Sequence, residues 1–116
     1  MADPDKSSPS NEPRLERRTV PRYSIIATAE AVEPTSSVRI VGRVSELSRK
    51  GCYLDALNSL PVGTSVQITI SRDQGTFHSP ARIIHVQERM GMGLVFVDMP
   101  ADQLKLLESW LAELNA

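Results

Sequence analysis

The segment Ser65-Val66-Gln67-Ile68-Thr69-Ile70-Ser71 alternates apolar and polar residues without a break. Val66, Ile68 and Ile70 fall on one side, Gln67 and Thr69 on the other. Successive side chains of a strand point to opposite faces, so this period marks a strand with one face buried and one in water. The same period, less cleanly kept, recurs in both directions from it.

Toward the N-terminus, Val38, Ile40, Gly42 and Val44 share one face of a strand over Val38–Leu47, with Arg39, Val41, Arg43 and Ser45 on the other. Ser48-Arg49-Lys50-Gly51 is a tight connection, and since Gly51 can take the left-handed conformation that closes a type I turn with a bulge, a hairpin is expected. Cys52–Leu57 is then the return strand of a hairpin. Further upstream, Ile25, Ala27, Ala29 and Ala31 alternate with Ser24, Ile26, Thr28 and Glu30. The alanines suit a helix, but Thr28 and Glu30 do not separate cleanly from a three-four stripe, and strand is the reading.

Toward the C-terminus, Arg72-Asp73-Gln74-Gly75 turns into a long run over Thr76–Glu88, where Pro80 implies an edge, a bulge or a bend. Glu88-Arg89-Met90-Gly91 turns again, and Met92–Val97 is the last strand. Gly93 within it suggests a close backbone approach or a barrel-closing bend. The period then changes. Pro100 and Asp102 suit a first helical turn, and Leu104, Leu107, Leu111 and Leu114 recur at spacings of three and four, with Trp110 at the border of that stripe. Five or six short strands followed by one helix indicate a mainly β fold, a small antiparallel barrel with a C-terminal α-helix.

The chain has 116 residues, 41% of them hydrophobic but only 4% aromatic, so aliphatic side chains must fill one modest core. The formal net charge is -1, which argues against the broad basic surface of a nucleic-acid module. Cys52 is the one cysteine, so an intrachain disulfide is excluded and a cysteine-built metal site is not expected. No apolar run is long enough to span a bilayer, and the N-terminus lacks a signal-type apolar core, so a cytoplasmic protein without direct membrane insertion is expected.

Residues 1–13 are rich in proline, serine and charge and are expected to be a disordered leader. Residues 14–116 form the domain: an arm over 14–23, the barrel over 24–98 and the helix over 100–115. The arm carries Arg17, Arg18 and Arg22 around Val20-Pro21, and its proline excludes a helix interior. Guanidinium groups engage phosphate oxygens or the O6/N7 edge of guanine bidentately and stack on bases. The alternative is a solvated charged linker, with Glu12 and Glu16 offsetting part of the charge. In the hairpin turn, Ser48 offers a hydroxyl, Gly51 permits close approach, and Glu46 adds a carboxylate, although Ser and Gly are also what turns ordinarily use.

Taken together, the Arg-x-x-x-Arg arm (Arg18, Arg22), the acidic-x-Ser-x-x-Gly turn (Glu46, Ser48, Gly51) and the closing Gly91-Met92-Gly93-Leu94-Val95-Phe96 resemble the PilZ domain family, bacterial receptors for cyclic di-GMP. The resemblance covers roughly Glu16–Leu114. It implies a six-stranded antiparallel barrel with a C-terminal helix, no catalysis, no cofactor or metal, and a nucleotide ligand. It assigns guanine and phosphate contacts to Arg18 and Arg22, and uptake of a stacked ligand pair to Arg17. It assigns a guanine-edge contact to Glu46, a place near phosphate to Ser48, and clash avoidance to Gly51.

The family pattern has Asp or Asn where this chain has Glu46. In a tight site one extra methylene is expected either to displace the base or to force a poor rotamer, the latter costing about 0.5–1.5 kcal/mol. The sequence therefore points to a cyclic di-GMP receptor or adaptor that acts on an unidentified protein effector. The alternative is a PilZ-like interaction module that does not bind the nucleotide.

Other chemistries are thinner. His78 and His85, seven apart on one strand, are expected on opposite faces and do not make a metal pair. No P-loop, dinucleotide fingerprint or nucleophile elbow is present. Tyr23, Tyr53, Phe77, Phe96 and Trp110 form no obvious stacking row for single-stranded nucleic acid.

Overall fold

The computed structural model describes residues 20–73 and 75–115. Within them the chain forms β1 (Arg22–Glu33), β2 (Val38–Ser48), β3 (Gly51–Asp55), β4 (Ser65–Arg72), β5 (Gly75–Gln87), β6 (Gly91–Phe96) and α1 (Ala101–Asn115). All strand pairs are antiparallel, and the order β1-β2-β3-β6-β5-β4 closes on itself through β1 and β4. The fold is thus the mainly β, six-stranded barrel with a C-terminal helix that the sequence indicated. Closure gives every strand two hydrogen-bonded neighbours, so among the described residues no strand is an edge strand along its whole length.

The alternation in β4 decides which side of the wall is inside. Val66, Ile68 and Ile70 are buried, and Ile70 and Ile68 stand directly opposite Ala29 and Ala31 of β1. Pairing large with small side chains across a ladder lets a core interdigitate. Leu47, Leu54, Phe77, Ile83 and Met92 complete the interior. Each such side chain contributes about 1.5–3 kcal/mol through burial.

Three register shifts interrupt the ladders. β1 holds one extra residue against β2 between Ser24 and Ala27, and β2 holds one extra against β3 at Ser45. β5 holds one extra against β6 at Ile84. A bulge reverses which face later residues take. In β2 the buried positions accordingly pass from Ile40 and Val44 to Leu47. Ser45 itself donates a hydrogen bond to Asp55 Oδ1 at 3.0 Å, holding the bulge against β3.

These irregularities correct several expectations. His78 and His85 do not lie on opposite faces: the extra Ile84 brings both to the outer surface. Pro80 marks neither an edge nor the bulge. It pairs with Gln67 of β4, lies one residue beyond the last β5–β6 pair, and its carbonyl accepts the Val97 N–H at 3.0 Å. The return strand β3 ends at Asp55, and Leu57 is exposed. Gly51 is not left-handed; of the described glycines only Gly63 is, with φ 95°. Gly51 is required by close approach, since a Cβ there would collide with the Leu94 carbonyl oxygen. In β6 the crowded position is Gly91, whose Cβ would strike the Leu54 carbonyl and the Tyr53 ring, and not Gly93.

The helix begins at Ala101, and the Pro100 carbonyl accepts the Leu104 N–H at 3.0 Å. α1 packs on β1 and β5. Trp110 is not at the border of its apolar stripe; it is buried with Leu107 at the centre. Its ring lies 6.3 Å from that of Phe77, which meets Phe96 edge-on at 5.1 Å, and the Arg72 guanidinium sits 5.2 Å over the indole. Trp110, with the fully buried Leu107, therefore joins helix to barrel. Trp110→Ala is predicted to destabilise the domain by about 3–5 kcal/mol in urea unfolding, more than Leu104→Ala at the half-buried flank.

Candidate ligand cleft

One outer cleft of about 340 Å³ lies where the β2–β3 hairpin meets the β3-β6-β5 wall. That volume is within the range of small-molecule sites. Arg22, Glu46, Ser48 and Gly51, four of the six residues singled out in the sequence, line it together. Arg17 and Arg18 lie outside the described residues.

Strand register explains the convergence. Arg22 is the first residue of β1, and its ladder partner is Ser48, the last residue of β2. Ser24 pairs with Glu46 two positions along. Arg22 and Glu46 therefore rise from neighbouring rungs on one surface, with Arg22 Nη1 3.8 Å from Glu46 Oε1. Both are well exposed, so the pair is worth at most about 1 kcal/mol and either group is easily recruited by a ligand.

Ser48 is held by its own turn. Its Oγ accepts the Lys50 and Gly51 N–H groups, each at 3.1 Å. Those two donors would otherwise be left over where the strand ends, so the serine shapes the turn before it does anything else. The turn is also tied to the helix, with Arg49 Nε 3.6 Å from Glu108 Oε2.

The floor and far wall come from residues the motif reading did not assign to the site: Tyr53 of β3, Ile84 and His85 of β5, and Gly93 and Val95 of β6. A single rung runs Glu46–Tyr53–Gly93–His85 across four strands. Nothing local in the sequence connects these positions. The bulge at Ile84 is what brings His85 onto that rung, and a bulge has no reliable sequence mark. Tyr53 donates to Gln87 Oε1 at 2.5 Å, fixing its ring across β6. Burial, and then the Asp55 carboxylate, push the Tyr53 phenol above its ordinary pKa, so it remains a neutral hydrogen-bond donor at neutral pH.

Among the described residues no cluster of three or more histidine, cysteine, aspartate or glutamate side chains is arranged to hold a metal. No helix among them is long and apolar enough to cross a membrane.

The fold and cleft define a small antiparallel barrel domain with a recess on its outer wall, lipped by an arginine at the start of the first strand. The chain belongs to the PilZ domain family, whose model matches residues 14–113. It is similar to the PilZ domain with c-di-GMP of YcgR from Escherichia coli, with a TM-score of 0.71 and 19% identity over 85% of this chain and 92% of that one. It is also similar to the PilZ domain of CeSA from a cellulose-synthesizing bacterium, with a TM-score of 0.65 and 21% identity over 83% of this chain and 99% of that one. The Bacillus subtilis inhibitor of motility MotI/DgrA matches with a TM-score of 0.70 and 17% identity over 90% of this chain and 56% of that one. No curated protein sequence matches.

Cys52 also borders the cleft, but its side chain turns inward and is buried. Burial pushes its thiol up to about 12, so the reactive thiolate is essentially absent at neutral pH. Cys52 is predicted to resist a thiol reagent at pH 8 in the folded protein and to react at the rate of a free thiol in denaturant, as followed by mass spectrometry.

Proposed function

We propose that this domain is a cyclic di-GMP receptor, and that Arg17, Arg18 and Arg22 close over the nucleotide against the hairpin of Glu46, Ser48 and Gly51. The observation that carries this reading is the register of β1 on β2, with Arg22 opposite Ser48 at the lip of a cleft of ligand size. Arg18 lies four residues upstream, so its Cα is at most about 14 Å from that of Arg22. Its long side chain can therefore reach the same recess. The ligand offers two phosphates and two guanines, both matched by forked guanidinium donors. The Glu46 carboxylate can accept from the guanine N1–H and N2–H groups once Arg22 swings from it to a phosphate.

The closed arm would present a different surface from the open one. The ligand's charge supplies the difference in affinity between the two states that any such switch needs. An unidentified protein effector then reads the reshaped surface, and the domain itself performs no chemistry. The E. coli YcgR domain with c-di-GMP supports the ligand class by likeness of fold.

A second reading is a PilZ-like interaction module that does not bind the nucleotide. Its support is the pairing of Glu46, the residue that departs from the family's Asp or Asn, with Arg22 across the recess.

Calorimetric titration with cyclic di-GMP separates the two. Micromolar or tighter binding is predicted, weakened about 10- to 100-fold by Arg18→Ala and by Arg22→Ala, the equivalent of losing one charge-assisted contact. Glu46→Asp is predicted to tighten binding by up to about tenfold. Heat release unaffected by either arginine substitution would reject the site. A silent native chain made competent by Glu46→Asp would establish the second reading.

A further inference from the structure

A second recess, of about 410 Å³, lies on the outer wall where β1 runs between β2 and β4, and it shares no lining residue with the ligand cleft. Ile26 stands at its rim, 82% exposed, the most exposed large apolar side chain among the described residues. It falls in the irregularity of β1 between Ser24 and Ala27, where the strand carries an extra residue against β2. Its neighbours Ile25 and Ala27 face the core, so an isoleucine between them adds nothing to the interior. Alone, one exposed isoleucine would call for no explanation. Its surroundings supply one.

Thr28 pairs with Arg43 of β2 on one side and with Ser71 of β4 on the other. Ile26 and Asp73 lie two residues past that rung, in the same direction because the strands are antiparallel. The recess is thus lined by a cation on the β2 side, an anion on the β4 side and an isoleucine between them. Arg72 also lines it, but its guanidinium is committed, 5.2 Å over the Trp110 ring and 3.3 Å from Glu113 Oε1. Among the described residues neither Arg43 nor Asp73 forms an ion pair. One charge of each sign does not suit a polyanion or an anionic lipid surface, either of which selects cations alone. It suits itself. A two-fold axis lying in this face and crossing β1 near Ala27 exchanges the two flanks of the strand. That operation packs Ile26 on Ile26 of a second copy and sets each Arg43 against Asp73 of the other, so one patch serves both sides.

We propose that this face of β1, β2 and β4 is a homodimer interface, with the two Ile26 side chains meeting at the axis and an Arg43–Asp73 ion pair between copies on either flank. Charge complementarity of the patch with its own rotated image is what selects a second copy of this chain as the occupant. A patch spanning three strands is small beside the interfaces of permanent dimers, so the association is weak and follows concentration. The interface does not depend on the nucleotide-binding reading. β1 delivers Arg22 to the ligand cleft and Ile26, four residues later, to the dimer face, and none of the cleft residues takes part in the contact.

Sedimentation velocity of the full chain over about 1 to 500 µM tests this, the range in which a small interface dissociates. The native chain is compared with Ile26→Asp, Arg43→Glu, Asp73→Arg and the exchange that combines Arg43→Glu with Asp73→Arg, each also melted by circular dichroism. The native chain is expected to pass from monomer to dimer within the range, and each single substitution to raise the dissociation constant at least about tenfold. The charge exchange is expected to restore it to within about threefold of the native value, which damage to the fold could not do. Should Ile26→Asp melt lower than the native chain, the two charge variants and their exchange still decide the matter. Arg22→Ala is expected to leave dimerisation unchanged, which keeps this result separate from the nucleotide titration. A native chain that stays monomeric throughout overturns the proposal, and so does a dimer indifferent to all three single substitutions.

Discussion

The structure depends on how tightly its shortest strand is gripped. β3 has five residues, Gly51–Asp55, between β2 and β6. On both sides the backbones come so near that glycine is compulsory: Gly42 against Asp55, Gly51 against Leu94, and Gly91 against Leu54 and the Tyr53 ring. A methyl group at any of these would force a carbonyl aside and break a ladder. The grip fixes the strand's register, and the register fixes everything presented around the hairpin. Leu54 and Cys52 turn inward to the core, while Tyr53 turns outward to the cleft.

From that constraint the rest of the recess follows. The turn leaving β2 is closed by Ser48, whose hydroxyl takes the two N–H groups of Lys50 and Gly51. The bulge at Ser45 is pinned by Asp55, so Glu46 stands beside Tyr53 and not one rung away. β1 then brings Arg22 alongside Ser48. The arginine is thus delivered to the cleft by the β1–β2 ladder, one of the six that make up the barrel, so the recess is assembled as the barrel folds. The helix, seated by Trp110 and Leu107, is joined to the hairpin turn through Arg49 and Glu108. A change in the turn has a direct route to the helix surface.

Much of this was legible in the sequence where one physical rule acted alone. The unbroken alternation of Ser65–Ser71 gave the inside and outside of β4 correctly, and Ile25, Ala27, Ala29 and Ala31 proved to be the inner row of β1 despite their helix-favouring alanines. Arg22, Glu46, Ser48 and Gly51, singled out through the family resemblance, proved to line one cleft. What was not readable depended on register. The expected opposition of His78 and His85 failed because Ile84 is an inserted residue. Gly51 was read both as a left-handed turn residue and as a point of close approach, and only the close approach, to β6, is present. Trp110 was placed at the margin of a leucine stripe, whereas its indole reaches Phe77 and Arg72 and so takes the centre. In each case a cross-strand or helix-sheet contact overrode a local pattern, and a local pattern carries no information about partners.

The central claim is that arm, hairpin and barrel wall meet on one ligand. An amide-shift titration of the isotope-labelled chain with cyclic di-GMP tests it most directly. The account predicts that amides of Arg17, Arg18, Arg22, Glu46, Ser48, Gly51 and Gly93 shift together, saturating at one ligand concentration. Shifts absent from the arm and hairpin, or confined to the far side of the barrel around Ser65–Ser71, would contradict it.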